Sequence, residues 1–197
     1  NLFFRKQSMK KKNTNVLQKK AKLKFSAILQ DIKINKIYKK FRSTFFKRVG
    51  SKDFAIGVSG GRDSLCLAIF CKLYSKEFKN KFYTLIVDHK LRKESSYEAF
   101  KVKKILNKHN IKSQILVWKG KIPKSNIQLN ARDIRYSLIS GACRKYNVNF
   151  LAIAHHQDDQ VENFLIRLFR GSGLTGLSSM SEMFNFNKNL KIIRPFL

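Results

Sequence analysis

Cysteine is scarce in this chain: Cys66, Cys71 and Cys143 are the only three among 197 residues, and none stands in a Cys-x-x-Cys pair. That leaves neither a zinc site nor an iron–sulfur cluster written in the sequence. An odd number of thiols fits a reducing compartment, so a cytoplasmic location is expected. Long apolar runs are missing as well. Nothing approaches the ~18 apolar residues of a membrane span, so no membrane is expected among the partners. The start also lacks the apolar stretch and cleavage site of a signal peptide; its basic, acid-poor character could suit a transit peptide, but it is Lys-rich rather than Arg-rich. Acids are the third shortage. Against 42 Lys and Arg there are 12 Asp and Glu, a formal net charge of +30, and residues 1 to 48 hold 16 Lys and Arg with the single acid Asp31. Cations that neutralise phosphates release counterions, which points to phosphate-rich partners and, for the folded part, to RNA. A compositional bias toward Lys, Asn, Ile and Phe competes as the source of the N-terminal charge.

What is present is a regular alternation. At 43% hydrophobic residues, the length suits one α/β domain and leaves no room for a second full one. Residues 1 to 26 are charge-dense and weakly patterned, and read as a solvated, flexible extension. Apolar residues then return at helical spacing from Ile28 to Phe46, giving a leading helix to a domain over residues 27 to 197. Apolar runs at 54–58 and 82–87 read as buried strands, and 113–118 and 150–154 as a third and a fourth strand. Helical segments follow at 65–78, 94–108, 127–146 and 158–169, with a polar loop from Lys119 to Ser125. Such alternation predicts a doubly wound parallel sheet with helices on both faces, whose ligands bind beyond the carboxyl ends of the strands.

The residues with most chemical content sit at the first of those ends. Ser59-Gly60-Gly61-Arg62-Asp63-Ser64 joins a strand to a helix through two adjacent glycines, which permit positive φ and close backbone approach to an anion. The helix start aims N–H groups at the same point, and Ser59 and Ser64 add hydroxyls. Asp63 repels phosphate but suits a Mg²⁺ ion that shields one. The run matches neither Gly-x-x-x-x-Gly-Lys-Ser/Thr nor Gly-x-Gly-x-x-Gly. The plainer alternative is a turn in which Asp63 caps the helix.

This run resembles the PP-loop of the ATP pyrophosphatase superfamily, the adenine nucleotide alpha hydrolase-like fold. Later segments resemble the tRNA(Ile)-lysidine synthases: Val87-Asp88-His89-Lys90-Leu91-Arg92, Ala131-Arg132-Asp133-Ile134-Arg135-Tyr136, Ala154-His155-His156-Gln157-Asp158-Asp159-Gln160-Val161-Glu162-Asn163, and Arg170-Gly171-Ser172-Gly173-Leu174-Thr175-Gly176-Leu177. Asn130 departs from the small or acidic residue that precedes the Ala-Arg pair in that family. The resemblance implies ATP-dependent ligation of free L-lysine to C2 of the wobble cytidine in the CAU anticodon of an isoleucine tRNA, through an adenylated intermediate. It implies ATP and Mg²⁺, with Ser59 to Ser64, Asp88 and His89 at the nucleotide and Asp63 and Asp159 at the metal. The family also continues into further tRNA-binding regions, so a fragment is expected, with Met9 an alternative start; a homodimer is left open.

Within that frame several roles stay open. Asp158 or Glu162, four apart on one helix, would anchor the lysine ammonium, and His155 or His156 would take its proton, since imidazole titrates near neutrality. Asp158 could equally cap its helix. Arg132, Arg135 and Tyr136 suit ATP or the tRNA backbone, or are ordinary surface groups. Arg167 and Arg170 make a basic turn that would meet RNA or tighten around substrate. Sulfur-transferring relatives need reactive cysteines, which these three, expected in the core, do not supply. The alternatives are another PP-loop thiolating or amidating enzyme, and a non-catalytic basic RNA-binding protein on this fold.

Overall fold

Phe54 to Gly57 is too short and apolar to be anything but a strand covered on both faces, and Phe82 to Asp88 repeats the pattern. The structure, a computed structural model, describes residues 29–120, 127–169, 171 and 181–197. Its elements run α1 (Ile32–Val49), β1 (Phe54–Gly57), α2 (Arg62–Phe78), β2 (Phe82–Asp88), α3 (Ser95–Lys108), β3 (Ser113–Val117), α4 (Ile127–Lys145), β4 (Phe150–Ala152), α5 (Gln157–Phe169), β5 (Met183–Asn187) and β6 (Leu190–Ile193). The extension predicted over residues 1 to 26 and most of the loop predicted from Lys119 to Ser125 lie outside the described residues.

Two compact units divide within α1, the first ending at Arg42 and the second covering Ser43–Leu197. In the first, the Asp31 carboxylate accepts the N–H groups of Lys33 and Ile34 at 2.8 and 3.1 Å, so the sole acid of the basic N-terminus caps α1.

The second unit carries a six-stranded sheet in the order β3-β2-β1-β4-β6-β5. β1 pairs in parallel with β2 and β4, β2 with β3, and β4 with β6; only the edge strand β5 runs antiparallel, against β6. The sheet is thus mostly parallel, with two strands more than the four expected. Strand order reverses on either side of β1, the doubly wound arrangement whose crevice opens between β1 and β4. Successive side chains point to opposite faces, and each face has its helices. On one, Ile139, Ala142 and Cys143 of α4 pack on Ala55, Leu85, Leu151 and Ile192. On the other, Phe54 meets the rings of Phe45 and Tyr74 edge-on, with centroids 5.0 and 6.1 Å away. Phe45, Phe54 and Tyr74 are fully buried, each contributing roughly 1.5–3 kcal/mol on leaving water. Among the described residues no helix is long and apolar enough to cross a membrane.

At the β1–α2 turn Gly60 has φ +99°, and a Cβ there would collide with the Val102 side chain of α3. Both conformation and space demand glycine. Gly60→Ala should therefore lose about 1–3 kcal/mol, whereas Gly141→Ala, inside α4 with open space around it, should gain up to about 1 kcal/mol. Denaturant unfolding of the two variants measures both; equal effects would refute this account of the turn.

Candidate active site

The β1–α2 turn is braced from within. The Ser64 hydroxyl donates to the Gly61 carbonyl at 2.9 Å, while its oxygen accepts the Gly60 N–H at 3.1 Å and lies 3.3 Å from the Ser59 hydroxyl. Ser64 is buried, and its donor proton is spent on the loop itself. Gly61, with extended backbone, occupies the N-cap position of α2 and brings no side-chain cap. Asp63 is therefore not the cap but a first-turn residue. The first intrahelical bond is that from Leu65 N–H to the Gly61 carbonyl, at 3.1 Å, so the amides of Arg62, Asp63 and Ser64 have no intrahelical acceptor and carry the positive end of the helix dipole. An anion fits there.

This turn forms one wall of a cleft of about 390 Å³ beyond the carboxyl ends of β1, β2 and β4. Ser59, Gly61, Asp63, Ser64 and His89 line it, as do His155, His156, Asp159, Arg135 and Tyr136. Part of its lining is apolar, Leu85, Val87, Ile139 and Ile153, with Ile139 and Ile153 closest to Gly57, which suits a flat ring. Asp88 does not line the cleft. It is buried, its carboxylate accepting the Ser96 hydroxyl at 2.6 Å and the Lys90 N–H at 3.1 Å, which fixes the loop that presents His89. Arg62 and Glu162 are exposed and off the cleft lining, and so is Arg167. The guanidinium of Arg132 lies 5.7 Å from the Tyr136 ring centroid. Arg170 lies outside the described residues.

His156 is the meeting point of the acids. Its Nε2 is 3.7 Å from Asp63 Oδ2 and 3.8 Å from Asp159 Oδ2, and its Nδ1 is 3.7 Å from Asp158 Oδ2. Asp159 also accepts the His156 backbone N–H at 2.8 Å, the reach-back of a capping box at the start of α5. First-turn acids of two helices, α2 and α5, thus converge on one histidine at the strand crevice. Among the described residues no group of three or more His, Cys, Asp or Glu could hold a metal ion. The pair Asp63 and Asp159 instead suits a Mg²⁺ ion, which commonly takes one or two carboxylates and completes its shell with substrate phosphates and water.

His155 has a different environment, set by a residue absent from the sequence-based site. Arg194, buried just beyond β6, donates from Nε to His155 Nδ1 at 3.2 Å and from Nη1 to the Ser181 carbonyl at 2.8 Å, and its guanidinium lies 4.6 Å from the Phe184 ring centroid. A guanidinium only donates. Nδ1 is accordingly an acceptor, and the neutral ring carries its proton on Nε2. Burial and then the Arg194 charge lower the His155 pKa, with Arg132 and Arg135 acting in the same sense and Asp159 against them. His89 is likewise lowered, by burial and then by Arg135 and Arg92, and its Nδ1 accepts the Leu91 N–H at 3.2 Å. At the rim Arg92 and Glu98 pair at 2.9 Å.

With these features in place the comparisons are specific. Residues 30–197 match the ATP-binding PP-loop domain, and the chain belongs to the PP-loop family. Within it, the chain is 43% identical to the tRNA(Ile)-lysidine synthase of Orientia tsutsugamushi (strain Boryong) over 141 residues, 72% of this chain and 32% of that protein. It is 36% identical to that of Rickettsia akari (strain Hartford) over 162 residues, 81% of this chain and 37% of that protein. The chain thus spans about a third of the length of these curated relatives. Among solved structures, the U34-tRNA thiolase NcsA from Methanococcus maripaludis shares the fold, with a TM-score of 0.64 at 20% identity over 82% of this chain and 60% of that one.

The two lowered histidines set a pH dependence. An unfolded histidine gains its proton near pH 6.5, whereas the folded His89 and His155 gain theirs only at lower pH. The unfolded chain then binds more protons in that window, so stability is full above about pH 6.5 and falls as the pH drops below it. Arg194→Gln should raise the His155 pKa part of the way back, burial remaining, as read by NMR titration of its ring nitrogens. An unchanged His155 titration would contradict the assigned contact.

Proposed function

We propose that this chain is the catalytic domain of a tRNA(Ile)-lysidine synthase, acting in the cytoplasm, which uses ATP and Mg²⁺ to join free L-lysine to C2 of the wobble cytidine in a CAU anticodon. The observation that carries this reading is the convergence of Asp63, Asp158 and Asp159 on His156 beside an uncapped helix start. It is joined by the relatives' names and the match to an ATP-binding domain.

In the first step the cytidine C2 oxygen attacks the α-phosphorus of ATP and the bond to the β-phosphate breaks. The amides of Arg62, Asp63 and Ser64 face the departing pyrophosphate and offset its charge without reorganising. Asp63 and Asp159 would hold Mg²⁺, which supplies charge neutralisation to the phosphates when bound. The apolar part of the cleft lining takes the adenine, with His89 at its edge, and Arg135 and Tyr136 hold the polynucleotide or the nucleotide phosphates.

In the second step the lysine ε-amine attacks C2, and the bond from C2 to the AMP oxygen breaks. Asp158, exposed beside His156, would anchor the ammonium before attack; Glu162, turned to solvent one turn further on, would do so only from outside the cleft lining. Of the two histidines, we assign the proton to His156. His155 has Nδ1 occupied by Arg194, and its Nε2 already bears a proton, so it serves as a hydrogen-bond donor. Sulfur transfer is disfavoured by the thiols: burial raises the pKa of Cys66 and of Cys71, and pushes Cys143 up to about 12, so all three stay protonated near neutrality.

Labelled lysine should enter a CAU-anticodon isoleucine tRNA transcript in the presence of ATP and Mg²⁺, and not a transcript with the wobble cytidine replaced. His156→Ala should lower labelling by 10²-fold or more while AMP–cytidine adduct accumulates. Asp63→Ala should abolish both products and leave tRNA affinity nearly intact. Lysine incorporation independent of the wobble cytidine, or tRNA affinity lost together with AMP release in Asp63→Ala, would reject the assignment.

A further inference from the structure

The outward side of α3 has a composition that neither the core nor the cleft explains. Ser95, Ala99, Val102 and Leu106 are its buried residues, spaced three or four apart, so they form the face turned to the sheet. On the opposite side stand Tyr97, 70% exposed, and Phe100, 52% exposed, with Lys101, Lys104 and Lys108 in the same helical rows and Lys93 just before the helix. The Lys104 ammonium lies 5.6 Å from the Phe100 ring centroid. Two large rings held in water while their helix has a well-filled apolar face gain nothing for folding. Glu98, the carboxylate nearest this stripe within the helix, is already tied to Arg92. The stripe therefore presents aromatic faces interleaved with cations. The N-terminal end of α3 stands at the edge of the cleft, since Arg92 just before the helix and Ser95, Glu98 and Ala99 near its start line that cleft, and the stripe runs along the other side of the same helix.

We propose that this stripe is a docking surface for single-stranded RNA, with Tyr97 and Phe100 stacking on bases and Lys93, Lys101 and Lys104 meeting the phosphates between them. The inference rests on the reading of the substrate as a tRNA and extends it: the nucleotides flanking the one in the cleft would leave over the α3 rim and lie along the stripe. Rings alternating with cations suit an unstacked strand, since every base has a face to stack on and every linkage a charge. A duplex hides its bases and would engage only the lysines.

The test compares wild type, Tyr97→Ala/Phe100→Ala and Lys101→Gln/Lys104→Gln in binding a CAU-anticodon tRNA transcript, a single-stranded oligonucleotide of the anticodon loop, and an RNA duplex of equal length. The aromatic variant should weaken binding of transcript and oligonucleotide about ten-fold or more and leave duplex binding unchanged. The lysine variant should weaken all three and reduce the slope of log K against log salt by roughly 1.4 for the single strand. ATP affinity should stay the same in both, since these residues lie off the cleft lining. Circular dichroism checks that both variants keep the fold. Unchanged RNA affinity in both variants, with wild type binding normally, overturns the proposal and leaves the substrate reading standing. Unchanged RNA affinity together with altered self-association in sedimentation would overturn it by making the stripe a protein contact. A wild-type protein that binds none of the RNAs would fell the substrate reading itself.

Discussion

Gly60 and the Ser64 hydroxyl set the terms for the whole site. The chain leaves β1 at a left-handed glycine pressed under Val102 of α3, and Ser64 ties the turn to the helix it opens. Because this bracing comes from a side chain inside the helix and not from a cap before it, the first amides of α2 are left facing the crevice. A side chain on Gly60 would push α3 away and disturb the opposite wall, which α3 also supplies. The anion site and the shape of the cleft therefore have one origin.

Charge is arranged against the average of the molecule. A chain with 12 acids and 42 basic residues places Asp63, Glu98 and Asp159 around one cleft and Asp158 beside it. Acids this rare, gathered from the starts of α2, α3 and α5, are best explained by a ligand that needs them: a metal-shielded polyphosphate, or an ammonium. The basic remainder, including the lysines of α3, then serves a polyanion too large for the cleft. Their charged neighbours separate the two half-buried adjacent histidines, one beside a guanidinium and the other among carboxylates, so neighbours in sequence are unlike in chemistry.

Much of this was legible beforehand because it is local. β1, β2 and β4 are largely apolar runs, β3 is a mixed one beginning Ser113-Gln114, and the helices between them have clear periodicity, so the doubly wound sheet and the strand-end location of the motifs followed from pattern alone. The β5–β6 hairpin escaped notice: Phe184 and Phe186 alternate with Asn185 and Asn187, and Lys188-Asn189 makes the turn, a weak signal at the edge of a sheet. Arg194 was hidden with it, since its role depends on β6 lying beside β4 and bringing the guanidinium to His155. The expectation that Asp88 faces the cleft came from its place at a strand end, but Ser96 and the Lys90 amide draw it inward. Glu162 shares a helical row with Asp158, yet spacing does not say how α5 is rotated, and in the structure Glu162 faces solvent.

The central claim, that the free start of α2 receives the phosphates of ATP, is tested most directly by titrating the ¹⁵N-labelled protein with a non-hydrolysable ATP analogue and Mg²⁺ and following the backbone amides. The account predicts that the Arg62, Asp63 and Ser64 amides move most, together with Gly57 and His89, while the β5–β6 hairpin stays still. Binding that leaves the three α2 amides unmoved would contradict it.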